Sequence, residues 1–207
     1  MVTIDSYSEA NRDDVAYITG VHPAGGARSA IGQSFTGLTN YNVIEAKFYL
    51  MKTGVPVGNL QAVLYAHSGV FGASSVPTGA ALASSASVAM AGLGGAYALV
   101  SFAFPAPYYK LAALKYCIEL QAKDAVTLNA ATDYIHVGED TSAPGHGGNQ
   151  STYFGGWLFS AAADVCFYVN GTLASIKGNV VGKAMASIIA SCKPRKLPVP
   201  RFHIRRC

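Results

Sequence analysis

The chain has 207 residues, of which 51% are hydrophobic, only 13% are charged and 22 are Gly. That profile excludes disorder and fits a single all-β domain rich in tight turns, with room for an extension. The formal charge of +4 averages two opposite parts: residues 1–176 hold 7 Lys and Arg against 11 Asp and Glu, whereas residues 177–207 hold 8 against 0.

Along the chain, period-2 alternation recurs, as expected of half-buried antiparallel strands. Strands are predicted over Ile4–Tyr7 and Ser29–Thr36, then over Ile44–Leu50 with Ile44, Ala46, Phe48 and Leu50 on one face. Asn59–His67 follows with Leu60, Ala62, Leu64 and Ala66 together, and Ala83–Met90 and Tyr97–Phe104 come next. Tyr116, Ile118 and Leu120 form another stripe, Asp133–Glu139 and Ser151–Leu158 are further strands, and Val165, Phe167 and Val169 are the last stripe. Between them, Thr53–Gly58, Val76–Gly79 and Thr141–Asn149 read as turns, because Gly supplies positive φ and Pro pre-sets φ. Gly92-Leu93-Gly94-Gly95 reads as a tight hairpin, without the spacing of a nucleotide loop. About ten short strands and no convincing helix predict an antiparallel two-sheet β-sandwich of jelly-roll type.

The expected boundary lies at Gly171, giving a body of residues 1–171 and a basic arm of residues 172–207. In the arm, Val180, Val181, Ala184, Met185, Ile188 and Ile189 recur at helical spacing. The following Lys193 to Arg201 segment, with three prolines, is predicted to run extended. An arm of this kind is read in three ways: docking on an acidic protein surface, contact with nucleic acid, or a free solvated tail. Leu197, Val199, Phe202 and Ile204 are interleaved with Lys193, Arg195, Lys196, Arg201, Arg205 and Arg206, which argues for docking, with Ile188 and Ile189 as further anchors. Nucleic acid is the less expected partner.

The N-terminal residues lack a basic and apolar leader, so no export signal is expected, and no segment is apolar over enough length to span a bilayer. Cys117 and Cys166 fall inside strands, where a buried free thiol is expected. Cys192 and Cys207 bracket the arm, and their pairing stays open. The sequons at Asn149 and Asn170 read as turn chemistry.

No reaction is announced by any motif. His67, before Ser68-Gly69, lacks the acid and the strand-to-helix elbow that a hydrolase needs, and reads as a strand-end histidine bonding the next turn. Glu139, Asp140 and His146 share a loop region, but without the alternating acids of a calcium loop. No metal, cofactor or enzymatic activity is expected. Tyr153, Phe154, Trp157 and Phe159 form an aromatic group that is either core or a platform on which sugar rings stack. Tyr153 and Trp157 are the candidates for the second role.

Ile31-Gly32-Gln33-Ser34-Phe35-Thr36, Ala46 to Lys52, Gly58-Asn59-Leu60, Leu64-Tyr65-Ala66-His67-Ser68-Gly69 and Ser74-Ser75-Val76-Pro77-Thr78-Gly79 form a pattern, continued by Tyr97 to Phe102, Val137-Gly138-Glu139-Asp140 and Asp164 to Gly171. This pattern resembles a β-sandwich module of bacteriophage virion proteins and of bacterial or archaeal surface proteins, across roughly residues 3 to 171. The resemblance implies a non-catalytic virion structural protein: a capsid-decoration, head-fibre or tail-associated component, assembled in the host cytoplasm beside other subunits. The low surface charge fits a covered surface, and a homo-oligomer is expected. The alternative is a carbohydrate-binding or adhesive module at a cell surface.

Overall fold

The structure, a computed structural model, describes residues 1–174 apart from 24, 25 and 107. Eight principal strands carry the fold: β1 (Val2–Tyr7), β3 (Ala30–Thr36), β4 (Tyr41–Thr53), β5 (Val57–Ser68), β6 (Val76–Ser84), β8 (Ala98–Ala103), β9 (Lys115–Thr127) and β14 (Phe167–Leu173). One sheet orders them β1-β14-β4-β8 and the other β3-β9-β5-β6, all antiparallel. Counted among the eight, these are first, eighth, third and sixth against second, seventh, fourth and fifth. That is the strand order of a jelly roll, as the alternation predicts.

The remaining strands are additions to this frame. β10 (Tyr134–Asp140), β11 (Gln150–Tyr153), β12 (Trp157–Ser160) and β13 (Asp164–Val165) lie between β9 and β14 in the chain. β11 and β12 widen the second sheet beyond β3. β10 pairs with the end of β4, and then β13 and β14 enter between the two as they part. β2 (Asp14–Ile18) borders β10, and β7 (Val88–Ala89) borders β5.

The two sheets enclose an apolar core whose largest fully buried side chains include Phe35, Phe48, Phe102 and Phe167. Phe48 and Phe102 meet edge to face with ring centres 6.0 Å apart. Each such side chain contributes about 1.5–3 kcal/mol by leaving water, which is why the alternating positions are fixed to one face.

Several expectations need correction. Val43, not Ile44, faces the core, because Glu45 pairs with Asn170 and Val43 with Gly171, leaving Ile44 as a bulge. Asn170 and Gly171 therefore lie in a strand rather than a turn, and Gly171 has no side chain because Ile4 packs where its Cβ would stand. Val76–Gly79 belongs to β6, where Pro77 is tolerated because the strand is at the sheet's edge. The predicted Ala83–Met90 strand is broken: Ala83 and Ser84 end β6, and only Val88 and Ala89 pair again. Gly92–Gly95 is no hairpin, since β7 and β8 lie in different sheets and this segment crosses between them. Ser151–Leu158 is a hairpin turning at Phe154–Gly156, with Gly155 at φ 82°. β2, which the alternation did not single out, is a short edge strand beginning at Asp14.

β14 runs to Leu173, past the expected boundary, and Ala174 N–H donates to Asn40 C=O. The expected arm from residue 175 onward, with its helix, its docking residues Ile188 to Arg206 and both Cys192 and Cys207, lies outside the described residues. No helix among the described residues is long and apolar enough to cross a membrane.

Candidate binding groove on the second sheet

Alternation places every second residue of β9 on the outer face of its sheet. Gln121 stands there opposite Gln61 of β5, and Glu119 stands opposite Val63 of β5 and Gly32 of β3. Polar residues at these positions are what a solvent-facing surface calls for. Here, however, the surface is recessed. A groove of about 270 Å³ is lined by His22, Gln61, Tyr65, Ser84, Gln121 and Lys123, among others. Its size is near the lower end of ligand pockets, about 300 Å³ and upward.

Side-chain hydrogen bonds fix the groove wall. Gln121 Nε2 donates to the Tyr65 hydroxyl at 2.9 Å, Gln61 Nε2 donates to Ser85 C=O at 2.7 Å, and Lys123 Nζ reaches Gln61 Oε1 at 3.3 Å. Burial pushes the Tyr65 phenol above its usual range and holds His22 below its own, so both are neutral near pH 7. His22 Nδ1 is buried without a hydrogen-bond partner among the described residues.

Below this surface Glu119 is fully buried. The Ser151 hydroxyl donates to Oε1, while Oε2 has no partner among the described residues. Burial pushes its carboxyl well above the usual range, with the Ser151 bond opposing that shift. Gly32 makes this placement possible, because a Cβ there would stand only 2.7 Å from the Glu119 carboxyl carbon.

The two sequence-predicted glycan residues lie beside the groove. Tyr153 and Trp157 pair edge to face across the hairpin with ring centres 5.1 Å apart. Trp157 also lies 6.0 Å from Tyr65 and 5.8 Å from His22, and Tyr153 lies 4.5 Å from His22. Both are half-buried, whereas Phe154 and Phe159 are exposed. Tyr65, Gln61, Gln121 and His22 were not singled out from the sequence. For Gln61, Tyr65 and Gln121 the only signal was a polar or aromatic residue at the outward position of a strand, His22 lies in the turn between β2 and β3, and the groove needs segments more than 90 residues apart in the chain.

The other candidates are placed elsewhere. His67 Nε2 lies 2.9 Å from Ser75 Oγ, across the turn that follows its strand. Glu139, Asp140 and His146 do not converge: Gln150 bonds Glu139, the Tyr7 hydroxyl donates to Asp140 at 2.5 Å, and His146 Nε2 lies 3.1 Å from Asp5 Oδ1. Among the described residues no three His, Cys, Asp or Glu side chains gather as a metal site would require. Cys117 and Cys166 are buried free thiols, Cys166 pushed by burial to about 12 and Cys117 higher still. Asn149 is also buried, its amide spanning Ser75 N–H and Ser75 C=O.

No protein-family model, curated protein or solved structure matches the chain.

Proposed function

We propose that the chain is a non-catalytic structural component of a virion, of the capsid-decoration, head-fibre or tail-associated kind, which assembles in the host cytoplasm. The observation that carries this reading is the separation of charge. A jelly-roll body with a net charge of −4 over residues 1–176 is followed by residues 177–207 with +8 and no acid. A like-charged segment repels itself, and an acidic surface on another subunit removes that cost. In this reading residues 172–207 anchor the body, with Ile188, Ile189, Leu197, Val199, Phe202 and Ile204 as apolar contacts between the basic side chains, and the body is a homo-oligomer in the assembly.

Truncation after Ala174, which preserves the whole of β14, tests the anchor. The truncated body is expected to fold and stay soluble but to be absent from purified particles that incorporate the full chain stoichiometrically. Unchanged incorporation overturns the anchoring role. Binding of the full chain to DNA that weakens steeply with salt replaces protein docking with nucleic-acid contact.

A second reading, a carbohydrate-binding or adhesive module at a particle or cell surface, is favoured by one specific observation. Tyr153 and Trp157 pack with Tyr65 and His22 beside a groove of mixed polar and apolar lining on the outer face of the second sheet.

A further inference from the structure

We infer that the groove between His22, Gln61, Tyr65, Gln121 and Lys123 binds one or two pyranose rings of an uncharged glycan; this assignment rests on the carbohydrate-binding reading. Gln121 gives one of its two amide N–H groups to the Tyr65 oxygen, and its Oε1 and the Tyr65 hydroxyl proton have no partner among the described residues. An acceptor and a donor therefore stand side by side at the groove wall. Lys123 Nζ, exposed, adds donors at one rim, and His22 adds a neutral ring. Neighbouring hydroxyls of a sugar each offer one donor and lone pairs at about hydrogen-bond spacing, and match such an alternating set. The apolar C–H face of a pyranose packs on aromatic rings, and Tyr65 and His22 supply them with Trp157 packed against both.

Competing ligands fit less well. Among the described residues Lys123 is the single Lys, Arg, Asp or Glu on the groove wall, whereas a phosphate or nucleotide is held by several cations or backbone donors. The lining is mixed, with Pro23, Val63 and Ala81 beside the amides, hydroxyl and imidazole, and a lipid chain would cover those polar groups without pairing them, whereas a sugar offers both a C–H face and hydroxyls.

Trp157 is the only tryptophan of the chain, so its fluorescence reports on this site alone. The full-length protein is titrated with the methyl glycosides of glucose, galactose, mannose and N-acetylglucosamine and with their β- and α-linked disaccharides. Saturable change in Trp157 emission with at least one of these is expected. Gln121→Ala and the ring-preserving Tyr65→Phe should each weaken that binding about tenfold in protein that still melts cooperatively. Saturable binding that neither variant affects moves the site elsewhere, for instance to the Tyr17, Tyr134 and His136 rings on the other sheet, and overturns this assignment while the glycan reading stands. Failure of every saccharide, in fluorescence and on a glycan array alike, overturns both. Equal tightening by glucuronic acid or inorganic phosphate, lost in Lys123→Ala, would identify an anion site instead.

Discussion

Phe102 and Gln33 are both fully buried, yet they hold the molecule together by different means. Phe102 sits between the sheets among apolar side chains, edge-on to Phe48, and its contribution is area removed from water. Gln33 sits where β3 meets β13 and the 141–149 loop. Its Nε2 lies 2.6 Å from Asp164 Oδ1 and 3.1 Å from His146 Nδ1, and its Oε1 accepts from Val165 N–H at 3.0 Å. Asp164 Oδ2 accepts from His146 N–H at 2.8 Å, and Gly148 N–H donates to His146 Nδ1 at 3.0 Å. With Nδ1 accepting, Nε2 carries the ring proton and donates to Asp5. The difference teaches how a jelly roll accommodates additions. The eight-stranded frame closes by packing, which Ile135 and Val137 of β10 and Val165 of β13 join, while the 141–149 loop is tied to it by a buried polar network. Such a network is directional, so it fixes one position for a loop that apolar contact alone would leave sliding.

The largest effect expected from breaking this comparison is at its apolar side. Phe102→Ala should cost about 3–5 kcal/mol in denaturant unfolding, from lost transfer energy and the cavity left between the sheets. The loss should be global, accelerating hydrogen exchange in β4, β5 and β9 together. A cost below 1 kcal/mol, on the order of a surface change, would show that the sheets do not depend on this contact.

Gln33→Leu has nearly the same size but leaves Asp164, His146 and Val165 N–H without their buried partner, and should cost about 2–3 kcal/mol. Its signature is local. Exchange should accelerate in residues 141–149 and in β13 well before β5 or β9 respond. A uniform response would mean that the loop and the frame form one cooperative unit, and the distinction between packing and network would fall.

The frame was legible in the sequence because its core-facing positions are apolar, so Leu60, Ala62 and Leu64 or Tyr116, Ile118 and Leu120 announce their side by alternation, even where the opposite face is also buried, as in β3 and β9. What stayed hidden are departures from period 2. The bulge at Ile44 shifts Val43 inward, and the Phe154–Gly156 turn splits an apparently continuous strand. Pro77 and Gly79 look like a turn yet sit in an edge strand, where no partner needs their donors on the open side. The network at Gln33 was illegible for another reason. A glutamine in a strand reads as solvent-facing, and only the tertiary fold brings Asp5, His146 and Asp164 to it. For the groove, Tyr153 and Trp157 were visible as a local aromatic pair, while Gln61 and Gln121 looked like ordinary outward residues.

The effect that is smallest near pH 4 and grows as pH rises, and the sharpest in sign, is expected at Glu119. Its carboxyl is held well above the ordinary range by complete burial, against the opposing bond from Ser151. The folded chain thus keeps a proton that the unfolded chain has released. The stability linked to that proton is fully present below the ordinary glutamate range, near pH 4, and is lost as pH rises through the interval up to the raised folded value. Glu119→Gln removes the ionisation while keeping the shape and an N–H donor. The variant's melting temperature relative to the parent should therefore climb as pH is raised from about 4 to 8. Asp5 provides the opposite case. Burial raises its carboxyl, but the His146 and Thr36 hydrogen bonds outweigh burial and hold it below its usual value, so its contribution is present above the ordinary aspartate range and lost on acidification. Asp5→Asn should accordingly flatten the acid side of the same stability curve. If Glu119→Gln instead shows a pH profile parallel to the parent, Glu119 is ionised in the folded protein. A negative charge would then lie beneath the groove, and the preference argued there for an uncharged ligand would pass to a cationic one.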